Sequence, residues 1–262
     1  MKTLWNSFLV AFAMYSKIPM PKADWEEKNM RYAMCFFPVI GLVIGLLEFI
    51  WFYICRLLGF GRLLGPALAV LIPIFVTGGI HFDGYLDTSD AMSSWRERED
   101  RLRILKDSHT GAFAIIAGIS WFLLSFGAAG EFFDKNTSFR ILWIYCLTFI
   151  ISRSFSALSV VTFPSANPKG TAAAFSENAR KKRVRNCMYV YILVLFALVI
   201  LLDPVTGIPV IAASLIGFAF YHHLCMKYFG GMTGDLAGFF VTVTELLMLL
   251  AVVAGVTLER FI

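Results

Sequence analysis

Three aspartates, Asp83, Asp87 and Asp90, stand at i, i+4 and i+7 in the stretch Gly79-Ile80-His81-Phe82-Asp83-Gly84-Tyr85-Leu86-Asp87-Thr88-Ser89-Asp90. On a helix those positions stack along one face. Three like charges there repel, and a divalent cation reverses the sign of that argument. Hard oxygen ligands suit Mg2+, which takes one or two carboxylates and completes its shell with waters and substrate phosphates. The bland alternative is a solvated acidic face. The apolar run directly upstream and the interleaved Gly78, Gly79 and Gly84 favour a metal site formed by Asp83, Asp87 and Asp90. A carboxylate among them, or His81, is then the candidate general base.

Further polar blocks carry complementary chemistry. In Lys106-Asp107-Ser108-His109-Thr110-Gly111, Lys106 and His109 suit phosphate oxygens, Asp107 adds a carboxylate, and Gly111 admits close backbone approach. In Gly230-Gly231-Met232-Thr233-Gly234-Asp235, Gly231, Thr233 and Gly234 around Asp235 make a tight turn able to lay backbone N–H groups against phosphate. Arg153 interrupts an apolar run, where a charge is expensive and usually functional. Its partner is either a phosphate or a buried carboxylate such as Glu245, and Glu48 is a second acidic residue inside an apolar run. Arg96 to Arg103 alternate with Glu97, Glu99 and Asp100, the pattern of a solvated helix laced with ion pairs. Asn167-Pro168-Lys169-Gly170-Thr171 reads equally as a ligand loop or as a plain turn.

What positions these residues is a membrane. Of 262 residues 58% are hydrophobic and only 16% charged, with mean hydropathy +0.72. An ordinary soluble domain is about 45–50% apolar and about 25% charged. Seven apolar runs, 32–55, 63–80, 111–130, 141–163, 187–202, 204–221 and 236–258, are long enough, or nearly so, to cross about 30 Å of hydrocarbon. The run 187–202 is the shortest and needs flanking residues to complete it, and Asp203-Pro204 predicts a tight hairpin after it. Residues 4–20 predict a short interfacial or re-entrant helix, not a cleaved leader, because Lys17-Ile18-Pro19-Met20-Pro21 follows in place of a small-residue cleavage site. The expected fold is an all-α polytopic bundle of about seven transmembrane helices plus that N-terminal helix. It forms a single integral membrane domain, 1–262, with cytoplasmic catalytic loops at 81–110, 164–186 and 222–235. No internal repeat is evident. Cys35, Cys55, Cys146, Cys187 and Cys225 form no Cys-x-x-Cys pair and read as small packing residues.

Lys and Arg are retained on the cytoplasmic side of short loops. With the segment before residue 32 inside, 17 of the 23 Lys and Arg residues fall inside, 5 outside and Arg153 within a span. The net charge of +5 therefore calls for no nucleic-acid partner, and Arg180-Lys181-Lys182-Arg183 reads as a topology signal against anionic headgroups.

With these segments laid out, the chain resembles the cobalamin synthase family, the adenosylcobinamide-GDP ribazoletransferases, over nearly its whole length. The resemblance rests on Phe37-Pro38-Val39-Ile40-Gly41, on the stretch from Gly79 to Asp90, on Lys106 to Gly111 and on Gly230 to Asp235, in that order. It implies the last assembly step of cobalamin synthesis at the cell (inner) membrane, with the catalytic face cytoplasmic. A ribose hydroxyl of α-ribazole or its 5′-phosphate attacks the cobinamide-side phosphorus of adenosylcobinamide-GDP, a nucleotide-activated substrate, and GMP leaves. Mg2+ is the implied cofactor. His81, Asp83, Asp87 and Asp90 are the implied catalytic residues, and Lys106, Asp107, Ser108, His109, Arg153, Gly231, Thr233, Gly234 and Asp235 the implied substrate-binding ones. Homo-oligomerisation and association with other cobalamin-pathway enzymes stay open.

Two rivals fare worse. A CDP-alcohol phosphotransferase needs Asp-Gly followed by Ala-Arg, whereas Tyr85-Leu86-Asp87 follows Asp83-Gly84. A secondary transporter places acidic residues near the midplane of two related halves, and the main acidic cluster here sits at a membrane edge. The orientation is directly testable. In a cysteine-free background, Ser93→Cys is expected to react only with reagents that reach the cytoplasm and Thr137→Cys only with external ones, and the reverse pattern overturns the topology.

Overall fold

In hydrocarbon a backbone has no hydrogen-bond partner but itself, so apolar segments must close their own ladders as helices. The computed structural model, which describes residues 2–60, 63–107, 109–133, 137–167 and 170–259, shows this arrangement. The elements are α1 (Lys2–Tyr15), α2 (Glu27–Met30), α3 (Ala33–Leu58), α4 (Leu64–Thr77), α5 (Ile80–Ser93), α6 (Arg98–Ile104) and α7 (Ala112–Phe132). They continue with α8 (Phe139–Thr162), α9 (Thr171–Asn178), α10 (Lys181–Leu202), α11 (Pro204–Leu224), a π-helical turn at Cys225–Phe229, and α12 (Gly234–Glu259). Among the described residues no strand forms, only an isolated parallel bridge between Ser165 and Met232.

Among the described residues six helices are long and apolar enough to cross a bilayer, namely α3, α7, α8, α10, α11 with its π-turn, and α12, and the bent pair α4–α5 makes a seventh if it is counted as one broken span. All seven expected runs are therefore helical. Large apolar side chains point away from the protein on the outer helices, Leu193 68%, Leu201 80% and Ile216 66% exposed, which suits lipid and not water. α1, at 14 residues, reaches only about 21 Å at 1.5 Å per residue and packs on α3 without being one of the spans.

One expectation changes. The run 63–80 is not one straight helix: α4 stops at Thr77, and the chain bends by 97° into α5. Residues 80–93, which carry the aspartates read on one helix face, form α5, packed against α7 and α12. The short run 187–202 is completed by flanking residues, with Lys181, Lys182 and Arg183 as the first turn of α10.

α8 is the central post, nearly all of its face positions buried. α3 reaches it through Gly41 and Gly45, four residues apart on one face, as small-xxx-small contacts do in membranes. A Cβ on Gly41 would lie 2.2 Å from the Phe149 carbonyl oxygen, and one on Gly45 2.5 Å from that of Cys146. The α10–α11 hairpin is fixed as anticipated. Asp203 caps α11 by accepting the Thr206 N–H at 2.7 Å, and Pro204 opens the helix. The Gly41 contact generates a prediction. Gly41→Leu forces α3 off α8 and is expected to destabilise the detergent-solubilised protein by at least about 1–3 kcal/mol, the scale of overpacking, seen as a lowered thermal unfolding midpoint. An unchanged midpoint would remove the contact from the account.

Candidate active site

The site begins at a helix that is made to stop. Pro73 lies inside α4, and Gly78 and Gly79 then adopt left-handed φ values of 65° and 80°, which glycine alone takes without penalty. The Gly79 N–H returns to the Ile74 carbonyl at 2.9 Å, closing the helix end. The Lys17 N–H donates to the Val76 carbonyl at 2.8 Å. The Lys17 stem lies where a Gly78 side chain would go, since a Cβ there would meet Cε at 2.3 Å. The segment after α1 is thus pinned to the elbow.

From the elbow α5 runs along α12 in near-backbone contact. A Cβ on Gly84 would lie 2.5 Å from the Asp235 carbonyl oxygen, and one on Gly238 3.0 Å from that of His81. This approach sets the α5 carboxylates beside the start of α12. Asp87 lies within Coulombic reach of Asp83, Asp235 and Asp90, and Asp235 within that of Asp83. Asp90 reaches sideways to the start of α7, where its carboxylate occupies the space a Gly111 Cβ would need, 2.2 Å from either oxygen. What Gly111 admits is therefore this carboxylate. Among the described residues, no three His, Cys, Asp or Glu side chains converge closely enough to hold an ion by themselves.

Two clefts meet at Asp83. One, of about 160 Å³, descends between α1, α3, α5, α8, α9 and α12, with Asp83 and Asp235 among its lining and Tyr15, Phe37 and His81 further in. His81 is 8% exposed, and its Nε2 has no hydrogen-bond partner among the described residues. Tyr15 stacks near its ring at 6.3 Å between centroids, and Phe37 meets it edge-on at 5.6 Å. The other cleft, about 560 Å³, opens at the elbow between Lys17, Gly78, Gly79 and Asp83. Lys17 and Tyr15 were not singled out from sequence. The one visible signal was a cation closing an apolar helix, and nothing in the spacing links it to a glycine pair about sixty residues away.

The remaining expected residues divide. The turn before α12 is tied to the turn after α8: Met232 N–H donates to the Pro164 carbonyl at 2.8 Å, and Ala166 N–H to the Met232 carbonyl at 2.9 Å. Gly231 makes that possible, because a Cβ there would lie 2.6 Å from the Pro164 oxygen. Thr233 caps α12 by accepting the Leu236 N–H at 3.2 Å, beside the exposed Gly234. The Arg98 guanidinium lies over Gly230, whose φ is 71°, and Arg101 stacks 4.9 Å over the Tyr228 ring. The charged helix α6 is thus docked on the π-turn as well as carrying the exposed Arg103–Asp100 pair. Gly170 N–H donates to the Asn167 carbonyl at 3.0 Å, which makes that loop a turn at its base. Lys106, Asp107 and His109 are exposed in the segment between α6 and α7. There Asp107 accepts from the His109 N–H at 3.0 Å and faces Nδ1 at 2.8 Å, contacts that hold its carboxyl below the usual range. Ser108, also expected at the site, lies outside the described residues.

Arg153 finds the carboxylate of the two partners foreseen. Its side chain is 1% exposed and donates through Nη1 to Glu245 Oε1, to the Phe149 carbonyl at 3.0 Å and to Ser152 Oγ at 3.2 Å, while Ser152 Oγ donates to Glu245 at 2.8 Å. His81, Arg153 and Glu245 line one small void under α5, so the pair forms a charged floor beneath the cleft. Glu48 is fully buried, and both of its oxygens lack a partner among the described residues.

A polytopic helical bundle that gathers carboxylates at one end, around a broken span and beside two clefts, defines a multi-pass membrane protein with a candidate site at that end. A family profile described as cobalamin-5-phosphate synthase matches residues 7–253, and the chain belongs to that family. It is 45% identical over 248 residues, 95% of this chain and 93% of the relative, to a protein of Lachnoclostridium phytofermentans named adenosylcobinamide-GDP ribazoletransferase. Proteins of the same name from Clostridium botulinum (strain Alaska E43) and Geobacillus sp. (strain WCH70) are 32% and 31% identical, each over 94% of this chain and over 96% and 94% of their own lengths. No solved structure matches the chain.

The charged floor yields a stability prediction. Removing one member of a buried pair strands the other, at about 3–5 kcal/mol. Arg153→Leu is expected to lose that much in unfolding of the detergent-solubilised protein, and Arg153→Leu with Glu245→Leu to recover most of it. Additive losses in the double variant would mean the two side chains act separately.

Proposed function

We propose that this chain joins adenosylcobinamide-GDP to α-ribazole, or to its 5′-phosphate, at the cytoplasmic face of the cell membrane. The products are adenosylcobalamin, or its 5′-phosphate, and GMP. The observation that carries the reading is Asp83 lining both clefts, one walled by rings and one beside a lysine. It occurs in a chain 45% identical to a relative that bears this activity in its name. A two-substrate transfer needs such a meeting point, where positioning and charge neutralisation do most of the work.

The residues act as follows. The pyrophosphate of the donor occupies the elbow cleft, and Lys17 neutralises part of its charge. A ribose hydroxyl of the acceptor, presented from the deeper cleft, attacks the cobinamide-side phosphorus. Asp83 takes the hydroxyl proton, the new O–P bond forms, and the anhydride O–P bond breaks, its electron pair leaving with GMP. Tyr15 and Phe37 exclude water from His81, and the Arg153–Glu245 floor holds α5 in register beneath the reacting groups.

Mg2+ is part of the proposal. Asp83, Asp87 and Asp90, joined by Asp235, offer hard oxygen donors, with Asp87 in Coulombic reach of the other three, which fits an ion that takes one or two carboxylates and completes its shell with substrate phosphates. When bound, it would neutralise the pyrophosphate and the departing phosphate.

A GMP-release assay on purified protein tests the reading. The parent is expected to release GMP only when both substrates are present. Asp83→Asn, Asp87→Asn and Asp90→Asn are each expected to lose at least about a hundredfold in turnover, the scale of losing one well-placed electrostatic stabiliser. Without metal these variants should be as stable as the parent, or slightly more so, because repulsion is relieved. If all three kept near-parental turnover at limiting Mg2+, the cluster would be a solvated helix face.

A further inference from the structure

Two basic segments distant in sequence meet where α3 and α10 begin. The Arg180 N–H donates to the Arg31 carbonyl at 3.1 Å. Arg183 donates through Nη1 to the Tyr32 hydroxyl at 3.0 Å, across 151 positions of sequence. About one turn further along each helix the thiols of Cys35 and Cys187 meet, so α3 and α10 leave this junction side by side. Arg31, Arg180, Lys182, Arg183 and Arg185 are all exposed there. Among the described residues none of them pairs with a carboxylate, and the nearby Glu26 is taken up by Lys28. Beyond the basic residues the surface of α10 turns apolar at once, with Tyr189 47%, Val190 62% and Leu193 68% exposed. A topology signal needs only positive charge in a loop. It does not need two remote basic segments hydrogen-bonded to each other above an apolar surface.

We propose that this junction binds the phosphate of one anionic glycerophospholipid, whose acyl chains lie along the apolar outer surface of α10. Basic clusters between the ends of transmembrane helices hold anionic headgroups. Arg183 is oriented by Tyr32, and its remaining N–H groups form a fork that matches two phosphate oxygens. Arg31, fastened at its backbone to Arg180, supplies a second cation. Tyr32 and Tyr189 set amphipathic rings at headgroup depth. A zwitterionic headgroup brings its own ammonium into the cluster and loses the advantage. A phosphate bridging Arg31 and Arg183 fastens α10 to the start of α3, whose Met34 and Phe37 line the deeper cleft. The lipid is thereby a structural ligand for one wall of the candidate site.

The full-length protein, delipidated in a nonionic detergent, is titrated with short-chain phosphatidylglycerol or phosphatidylcholine. Bound lipid is counted by native mass spectrometry, alongside the thermal unfolding midpoint. The parent is expected to hold one phosphatidylglycerol at least about tenfold more tightly than phosphatidylcholine, the scale of one charge-assisted hydrogen bond, and to unfold at a higher temperature with it bound. Arg183→Gln and Arg31→Gln are each expected to lose that preference. Arg96→Gln removes the same charge from the exposed segment between α5 and α6 and is expected to bind like the parent. No preference in the parent, or an equal loss in Arg96→Gln, overturns the site. Should Arg183→Gln fail to fold, Arg31→Gln decides, and a parental preference there overturns it. Glycerol 3-phosphate serves as the soluble anion and is expected to leave the midpoint unmoved. A rise equal to that with phosphatidylglycerol would make this a site for free phosphate and overturn the lipid.

Discussion

Backbone meets backbone where α5 crosses the start of α12, and the carboxylate cluster depends on that contact. Gly84 and Gly238 are the two positions where any side chain would hold the helices apart. Separation by even a methyl group would carry Asp83 and Asp87 away from Asp235. The contact in turn requires α5 to leave the line of α4, which the two left-handed glycines at 78 and 79 permit. Dispersion between closely packed small residues is the main adhesive available to helices surrounded by lipid, because lipid tails compete for every larger apolar side chain. The same device joins α3 to α8 through Gly41 and Gly45. The membrane part of the fold and the site are therefore assembled by one kind of interaction.

Electrostatics then works against packing, and the structure accommodates both. Several carboxylates at one end of a bundle repel, and they are tolerable where the cleft opens beside the Lys17 side chain. Deeper in, a charge must be answered within the protein. Arg153 is answered by Glu245 and Ser152 and by a backbone carbonyl. His81 lies between these two regimes, above the charged floor and lining the cleft, flanked by rings and with an Nε2 that has no hydrogen-bond partner among the described residues. Asp83 stands at the junction of both clefts.

Composition and periodicity were enough to establish a helical membrane bundle and to mark its apolar runs within a few residues, because lipid permits few alternatives to the helix. The spacing of Asp83, Asp87 and Asp90 was equally local, since a helix puts i, i+4 and i+7 on one face whatever surrounds it. Arg153 announced itself by its cost in an apolar run. What the sequence could not carry were relations between segments. It placed Asp235 in a phosphate turn but could not bring it against Gly84. It offered Arg153 two partners, and packing chose Glu245. It took 63–80 as a straight span, because a Gly-Gly pair reports freedom of φ and not the angle adopted. Lys17 and Tyr15 became site residues only when α1 folded back onto the elbow, a contact between positions some sixty residues apart that no local pattern encodes. The sequence by itself thus determined the solvent, the helices and the chemistry available; the tertiary structure decided which charges face one another, because that depends on how closely two backbones approach.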